Sequence, residues 1–322
     1  MPRCKWTASF PSYRTERMLM SQIRLRRSEL STPGSSERMM EKAAHSSADV
    51  ALLDLEDAVA PREKPAARAK VVEALTSLDW GDKTRAVRIN DIETEFAYED
   101  IVQVVEGARD ALDLIVVPKV KSARDLWFVD TLLTQIETKQ RSDKRIGLEV
   151  LIEEVEALIN VEDIARCTPR LEAITFGSGD FSASQGMRIG VIGDADENPY
   201  HGDVWSYAQN KIVVAARAAG IDAIDGPYAA FNDLDGYRQA SVRSSTLGFV
   251  GKWAIHPNQL EIANDVYSPA QDEVDQARRL ATALAEAGTR GHGVVEIDGK
   301  MIDAASIRGL KNIIMRADLI GM

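Results

Sequence analysis

Residues 50–89 read VALLDLEDAVAPREKPAARAKVVEALTSLDWGDKTRAVRI. Two short aliphatic runs, at 50–55 and 84–89, flank a longer, charged and alanine-rich stretch that has a helical pattern. Strand, helix and strand in this order are typical of a βαβ unit, in which the two strands run parallel. The stretch therefore predicts an α/β fold, and the same alternation continues on both sides of it.

The alternation predicts eight strands with helices between them. The strands lie at 28–31, 50–55, 84–89, 114–117, 146–152, 173–176, 222–224 and 252–255. The helices lie at 37–44, 63–75, 98–108, 123–138, 156–167, 204–219 and 234–247. Eight such repeats indicate a (β/α)8 TIM barrel. A doubly wound sheet also alternates, but no GxGxxG follows the first strand, as a dinucleotide-binding fold would require.

The pattern changes after Pro257. Three further elements are predicted there: a helix at 271–287, a hairpin at 294–297 and 301–302 that turns at Asp298-Gly299, and a last helix at 304–320. This tail is too long to be only the last helix of a barrel. We therefore predict a catalytic barrel at 27–257 and a C-terminal α/β lid extension at 258–322.

The composition excludes several classes of function. The chain has 322 residues, with 39 Lys and Arg against 50 Asp and Glu, which gives a net charge of −11. Such an acidic protein is a poor nucleic-acid binder and a poor binder of anionic membranes. No apolar run approaches the ~18–20 residues of a membrane span. Cys4 and Cys167 form neither zinc-site spacing nor a disulfide framework, which favours a reducing cytoplasm, and four His without HExxH disfavour a His-rich metal site.

The first residues differ from the rest of the chain in charge. Residues 1–27 carry seven Arg and Lys against Glu16 alone. An Arg-rich, acid-poor start is typical of an organellar transit peptide. An over-long start, with Met18 or Met20 as the true initiator, is the alternative that we favour, because such ends are usually not tied to the fold. We expect residues 1–26 to be a disordered extension.

Polar residues follow nearly every predicted strand, at the end where TIM barrels carry their chemistry. Glu153 and Asp180 each follow the apolar core of a strand, so we predict them as direct ligands of Mg²⁺, which binds one or two carboxylates and keeps water and substrate oxygens. Glu56, Asp57 and Lys119 would surround the metal ligands, and the two carboxylates would hold metal-bound waters. The alternative is that Glu56 or Glu153 pairs with a cation, Arg88 or Lys119, in a structural network.

Other polar residues at the same strand ends have two interpretations each. Arg88 could clamp a carboxylate or stabilise a developing oxyanion. Lys42 and Arg27 could meet a ligand phosphate, although a helix lysine such as Lys42 is more often simply solvated. His256 is a candidate for catalysis or a packed, hydrogen-bonded residue. The glycines around Ser178 would let a ligand approach the backbone closely.

These residues lie in motifs that resemble those of a known family. The chain is similar to the CoA-ester lyases of the citrate lyase β-subunit and malyl-CoA lyase group, within the aldolase/citrate lyase superfamily. The matching stretches span residues 27–320 and are TPGS (32–35), LDLEDAVAP (53–61), VRIN (87–90), VPK (117–119), EVLIE (149–153), GDFSAS (179–184), DGP (225–227), GKWAIHP (251–257) and DGKMID (298–303). Gly186-Met187 and residues 247–253 favour the malyl-CoA lyase branch.

The resemblance implies roles for residues of the barrel. Glu153 and Asp180 match the family's Mg²⁺ ligands, with Mn²⁺ as the alternative ion. Arg88 matches the arginine that meets the substrate and the thioester enolate oxygen. Four substrate contacts are implied besides it: Gly179, Asp180, Ile255 and His256.

The resemblance also implies a CoA site and a second catalytic residue. Ser31, Ser36 and Lys42 fall at CoA-contact positions, where this chain has serines in place of the aromatic residue and the arginine of malyl-CoA lyases. Asp303 matches the catalytic acid/base that the C-terminal lid of a neighbouring subunit supplies. A homo-oligomer, a trimer or hexamer, is therefore implied. By its pattern alone Asp303 is only the N-cap of the last predicted helix.

The activity that the resemblance implies is a reversible retro-aldol cleavage. Malyl-CoA or β-methylmalyl-CoA would give acetyl-CoA or propionyl-CoA and glyoxylate, so the partners are a CoA thioester and a small 2-oxoacid. Lys119 is assigned no covalent role. Four alternatives stay open: a malyl-CoA thioesterase, a citramalyl-CoA lyase or citrate lyase β-subunit-like protein, an aldolase acting on free acids, and a non-catalytic subunit that needs partner chains.

Overall fold

The computed structural model describes residues 24–188, 203–289, 294–297 and 299–322. Eight parallel strands close into a barrel in the order β1 to β8. Their bounds are Ser28–Pro33 (β1), Val50–Asp54 (β2), Thr84–Arg88 (β3), Leu114–Val117 (β4), Gly147–Ile152 (β5), Leu171–Phe176 (β6), Asp222–Asp225 (β7) and Gly251–Ala254 (β8). The predicted (β/α)8 TIM barrel is confirmed.

Helices separate the strands of the barrel. In the described residues α1 to α9 are Glu37–Ala44, Lys64–Ser77, Ala97–Ala108, Ala123–Gln140, Val155–Ile159, Val161–Ile164, Ser178–Ser184, Ser206–Ala219 and Leu234–Leu247, and α10, Leu260–Val266, follows β8. The single helix predicted at 156–167 is wrong. Asn160 leaves helical geometry between α5 and α6 (ψ 7°), and its side-chain amide donates to the Lys121 carbonyl (2.9 Å).

The interior of the barrel is apolar in its middle layer. Residues from seven strands meet in one buried cluster, and only the inside of a closed barrel brings these strands together: Val50, Leu52, Ala86, Leu114, Val116, Leu151, Ala173, Ile224 and Trp253. Because side chains alternate along a strand, residues two positions further on face the same interior at the C-terminal strand ends. Those ends are called the mouth below.

The opposite, N-terminal end of the barrel is closed by ion pairs. Arg26 is fully buried, and its guanidinium contacts Glu149 (2.8 Å) and Glu172 (2.7 Å). Arg24 also contacts Glu172 (2.8 Å). Both arginines fall within the extension predicted at 1–26, but they are part of the barrel. The predicted disorder, transit peptide and alternative initiators concern residues 1–23, which lie outside the described residues.

The chain divides into two compact units between Ala263 and Asn264, within α10. The C-terminal unit, residues 264–322, contains α11 (Gln271–Thr289), the antiparallel strands β9 (Val294–Ile297) and β10 (Lys300–Asp303), and α12 (Ala304–Leu319). The predicted helix, hairpin and helix are therefore all present. Among the helices described, none combines the length and the apolar character that crossing a membrane requires.

Candidate active site

Arg88 is fixed at the mouth by a residue to which the sequence analysis gave no role. Arg88 and Asp54 are the last residues of β3 and β2 and lie opposite each other in the strand register. Asp54 is fully buried, and it accepts from Arg88 Nε (2.7 Å) and Nη2 (2.5 Å). Two parallel charge-assisted bonds fix both the distance and the direction of a guanidinium. The sequence does contain a signal for this contact. Asp54 and Arg88 end two neighbouring parallel strands, and side chains at paired strand ends that point to the same side of the sheet lie close together.

The remaining Arg88 nitrogen joins a network with the other carboxylates of the β2 end. Nη1 lies 2.8 Å from Glu56 Oε2 and 3.5 Å from Asp57 Oδ2. Lys119, after β4, donates to Glu56 and contacts Asp57 Oδ1 (3.3 Å). Glu56 thus contacts both cations that the structural alternative names. The predicted contacts of Glu56 and Asp57 with metal-bound water stay a prediction.

The two carboxylates of this network differ in acidity because they differ in burial. Burial raises the pKa of Glu56 to about 7, against the lowering effect of Arg88 and Lys119. Burial also acts to raise the pKa of Asp57, but there the same two cations outweigh it and hold the pKa below its ordinary value.

Glu153 and Asp180 form a second acidic group, and it has a different environment. Glu153 directly follows β5, is 2% exposed, and accepts from the backbone N–H of Lys119 (2.8 Å). Among the described residues, no cationic side chain forms an ion pair with Glu153 or Asp180. Burial and the negative charge of Asp180 raise the pKa of Glu153 to about 8. A buried acid beside a second acid is the environment that a divalent cation would stabilise.

Two backbone features place Glu153. A Cβ on Gly177 would lie 2.5 Å from Glu153 Cβ and 2.6 Å from its Oε2, so only glycine allows β6 to end this close to the carboxylate. Lys119 adopts a left-handed backbone conformation (φ 51°), which is uncommon for a residue with a side chain. This backbone carries the N–H that Glu153 accepts. Local strain at such a position is typical of functional sites.

Asp180 and Gly179 lie in the first turn of α7, a helix that the sequence analysis did not predict. The glycines of residues 177–180 favoured a turn, but helix α7 begins directly after Gly177. No group of three or more His, Cys, Asp or Glu in the described part of the chain is arranged to hold a metal ion. The binding of a metal ion by Glu153 and Asp180 stays a prediction.

The end of β8 contributes Ile255 and His256, which are both exposed at the mouth. His256 Nδ1 lies 2.7 Å from Asn258 Oδ1, and the imidazole stacks on Phe231 with 5.0 Å between ring centroids. His256 is thus hydrogen-bonded but not buried. Its predicted substrate contact, like that of Ile255, stays a prediction.

The predicted CoA contacts lie near the start of the barrel. Ser31 is in β1, Ser36 directly precedes α1, and Lys42 is an exposed residue of α1. The position of Arg27 does not support its predicted contact with a ligand phosphate. It precedes β1 at the N-terminal end of the barrel, and its guanidinium binds Asp49 through two bonds (2.8 and 2.9 Å).

Asp303 is the last residue of β10 in the C-terminal unit, and its side chain is exposed. Helix α12 begins at the next residue, Ala304. Its predicted role as the catalytic acid/base stays a prediction.

The sequence of the barrel matches a known family. A family model described as HpcH/HpaI aldolase/citrate lyase matches residues 27–257. The chain belongs to this family. Membership confirms the resemblance that the motifs indicated, and it makes the protein a member of a family of carbon–carbon bond lyases and aldolases.

Curated relatives in the aldolase/citrate lyase family extend the match beyond the barrel. An L-malyl-CoA/beta-methylmalyl-CoA lyase of Rhodobacter capsulatus is 44% identical over 304 residues, which cover 92% of this chain and 96% of the relative. A (3S)-malyl-CoA thioesterase of Cereibacter sphaeroides is 36% identical and covers 91% of this chain and 95% of its own. Among solved structures, a citrate lyase beta subunit of M. tuberculosis complexed with oxaloacetate and magnesium is 25% identical, with a TM-score of 0.62 over 76% of this chain and 98% of that one.

Proposed function

We propose that this protein is a CoA-ester lyase that cleaves malyl-CoA or β-methylmalyl-CoA to glyoxylate and acetyl-CoA or propionyl-CoA. The observation that carries the proposal is the pairing of two chemistries at one mouth. Arg88, aligned by Asp54, offers a fixed cation for a developing oxyanion, and Glu153 with Asp180 offers an acidic pair for a divalent ion. The 44% identity to a lyase of this specificity supports the substrate class.

A divalent metal ion, Mg²⁺ with Mn²⁺ as the alternative, fits this site. Glu153 offers hard oxygen donors, and burial together with the charge of Asp180 raises its pKa despite the lowering effect of Arg88. The M. tuberculosis relative is complexed with magnesium. When bound by Glu153 and Asp180, the ion would supply Lewis-acid polarisation of the substrate oxygens.

The chain's own residues have two tasks in the cleavage. They stabilise the negative charge of the enolate and deliver one proton. In the cleavage direction, the bond between the thioester α-carbon and the hydroxyl-bearing carbon breaks, and its electron pair moves to the thioester enolate. The hydroxyl proton passes to water as glyoxylate forms. Arg88 donates to the enolate oxygen. Asp303 delivers a proton to the α-carbon, which becomes the acetyl methyl group.

The remaining contacts belong to the same proposal. Ser31, Ser36 and Lys42 contact CoA, and a neighbouring subunit of a trimer or hexamer in the cytoplasm supplies Asp303. These assignments rest on the family motifs, and the serines replace the aromatic residue and the arginine of malyl-CoA lyases.

A panel of CoA thioesters tests the function directly. The purified single chain is incubated with malyl-, β-methylmalyl- and citramalyl-CoA, and in the reverse direction with acetyl- or propionyl-CoA plus glyoxylate or pyruvate. Mass spectrometry identifies the products. We expect cleavage to glyoxylate that EDTA abolishes and Mg²⁺ restores. Full activity in EDTA would contradict the metal site, and turnover of free acids without CoA would contradict the lyase.

A thioesterase is the second candidate, because the 36% identical relative is a (3S)-malyl-CoA thioesterase. The two activities differ in the bond that breaks. Free CoA with malate, and no glyoxylate, would identify the thioesterase. Free glyoxylate with an intact acetyl thioester identifies the lyase.

A further inference from the structure

Trp253, in β8, lies directly against the arginine of the candidate site. The indole is 3% exposed and belongs to the interior cluster of the barrel. The guanidinium carbon of Arg88 lies 5.4 Å from the centre of the indole ring. A cation at this distance from the face of a desolvated indole is attracted by the ring's electron density. The protein thus holds Arg88 between an apolar floor and the carboxylates of the β2 end.

The indole is itself held in place from the other side. Its Nε1–H donates to Glu29 Oε2 (2.9 Å), and Glu29 in β1 is fully buried. Glu29 Oε1 lies 3.6 Å from Arg26 Nη1. Since both ends of this contact are buried, rotation of the ring would leave the indole N–H and Glu29 Oε2 without their shared hydrogen bond, at a cost in free energy. The ring is therefore a rigid support.

The direction of the Trp253 contact differs from that of the Asp54 contact. Asp54 accepts from Nε and Nη2, and such hydrogen bonds lie close to the guanidinium plane. Contacts in this plane restrain its position well but restrain tilting out of the plane weakly. A ring below the guanidinium carbon restrains the tilt. Small tilts matter, because an oxyanion is stabilised only by donors that are aimed at it in advance.

We propose that Trp253 is a positioning residue for the lyase reaction, which sets the tilt of Arg88 and thereby the aim of its free N–H groups. The inference rests on the proposed role of Arg88 in the function above. Nothing in the family motifs assigns this role to Trp253, whose exposed area is too small for substantial contact with a substrate.

Two substitutions separate the ring face from the hydrogen bond. Trp253→Phe keeps an aromatic face and loses the bond to Glu29, whereas Trp253→Leu loses both. For Trp253→Leu we expect kcat to fall about tenfold. The free energy of a desolvated cation–π contact is of the same order as the change in activation free energy that alters a rate tenfold. Trp253→Phe should lose less than Trp253→Leu. The Mg²⁺ concentration for half-maximal activity should be unchanged in both.

Trp80 provides the matched control. It is 4% exposed, and its Nε1–H donates to the Ala74 carbonyl (3.0 Å), so Trp80→Leu removes the same buried ring and one hydrogen bond without involving Arg88. Both leucine variants should lower Tm, and only Trp253→Leu should lower kcat at temperatures where the protein is folded. An equal loss of kcat in the two variants would overturn the proposal.

A double variant tests whether Trp253 acts through Arg88. In an Arg88→Lys background, Trp253→Leu should have no further effect on the residual rate, whereas an unchanged tenfold loss would overturn the proposal. A crystal structure of Trp253→Leu gives a readout independent of activity, in which we expect the Arg88 guanidinium to be tilted or disordered. An unmoved guanidinium would refute the role of Trp253, whether or not the wild-type protein has lyase activity. Absence of lyase activity from the wild-type protein would instead count against the proposed function.

Discussion

The most consequential residue of the mouth is a fully buried aspartate. Asp54 makes two bonds to Arg88 and also accepts from the backbone N–H groups of Glu56 (2.8 Å) and Ala58 (3.1 Å). It therefore orients the arginine and shapes the loop that carries Glu56. A buried ion pair contributes little net stability, but loss of one partner is costly because the other charge stays buried.

Asp54→Asn is expected to lower both stability and activity. The substitution leaves Arg88 partly uncompensated, so the free energy of unfolding should fall by about 3–5 kcal/mol. The activity per folded molecule should fall as well, since the pair of charge-assisted hydrogen bonds that orients Arg88 is lost. Urea unfolding and kcat, measured on the same sample, give the two effects.

Asp113→Asn is the control for Asp54→Asn. Asp113 binds Arg85 (2.9 Å) near the N-terminal end of β3, away from the mouth. It should lower stability without lowering kcat. Equal losses of kcat in the two variants would show that Asp54 has no specific role in orienting Arg88.

Glu153 should couple metal binding to protons. Burial and Asp180 raise its pKa to about 8 in the metal-free protein, so at pH 7 the carboxyl is mostly protonated. Binding of Mg²⁺ should release close to one proton, and the affinity should rise about tenfold per pH unit up to pH 8. Calorimetry in two buffers with different ionisation enthalpies counts the proton.

The raised pKa of Glu153 also determines the direction in which pH changes the stability of the metal-free protein. Because the folded state binds the Glu153 proton more tightly than the unfolded state, the contribution of Glu153 to metal-free stability declines as the pH rises from about 4.5 to about 8. Added Mg²⁺ should reverse the decline. Glu153→Gln should abolish both effects, whereas Glu154→Gln, a neighbour that binds Ser184, should keep them. Metal binding without proton release would contradict the raised pKa.

At the scale of elements, the turn from β6 into α7 positions the acidic pair. The space for Glu153 exists because Gly177 has no side chain, and Asp180 follows in the first turn of α7. Supporting contacts of this kind typically contribute 10–100-fold to metal affinity.

Gly177→Ala should therefore weaken Mg²⁺ binding about tenfold or more, because the new Cβ and the Glu153 carboxylate cannot occupy the same space. Titration of the metal-free variant with Mg²⁺ measures the change. Gly288→Ala is a suitable control, because no atom lies within 4 Å of the added Cβ and alanine favours helix α11. Unchanged Mg²⁺ affinity in Gly177→Ala would remove Glu153 from the metal site.

The sequence predicts elements better than it predicts the contacts between them. Aliphatic runs such as residues 114–117 indicate parallel strands because both of their faces are covered. Helix α7 was missed because Gly177 and Gly179, just before and within its first turn, favour a turn when judged by propensity alone. The contact of Trp253 with Arg88 was also missed, because it depends on which side chains meet inside the barrel. Arg26 and Glu149 are 123 residues apart, so their pairing follows from barrel closure and not from any local pattern.

At the scale of the whole molecule, the location of Asp303 in a separate unit makes a mixing experiment decisive. If a neighbouring subunit supplies Asp303, each active site combines the barrel of one chain with the C-terminal unit of another. Asp303→Asn and Glu153→Gln chains are each expected to be inactive. After subunit exchange in an equimolar mixture, about a quarter of the sites of a closed, symmetric oligomer should contain both intact residues.

Native mass spectrometry verifies that the exchange has occurred, and each variant mixed with itself is the control. Recovery of about a quarter of wild-type activity supports the supply of Asp303 by a neighbour. No recovery after complete exchange would mean that each chain uses its own Asp303. Full activity of the Asp303→Asn chain alone would show that this residue has no catalytic role.

The ion pairs of Arg24 and Arg26 set a limit to how far the chain can be shortened. Translation from Met18 or Met20 would keep both arginines. Removal of residues through Arg26 would leave Glu149 and Glu172 buried without their cations, which is costly. Either start is therefore compatible with the ion pairs that close the N-terminal end of the barrel.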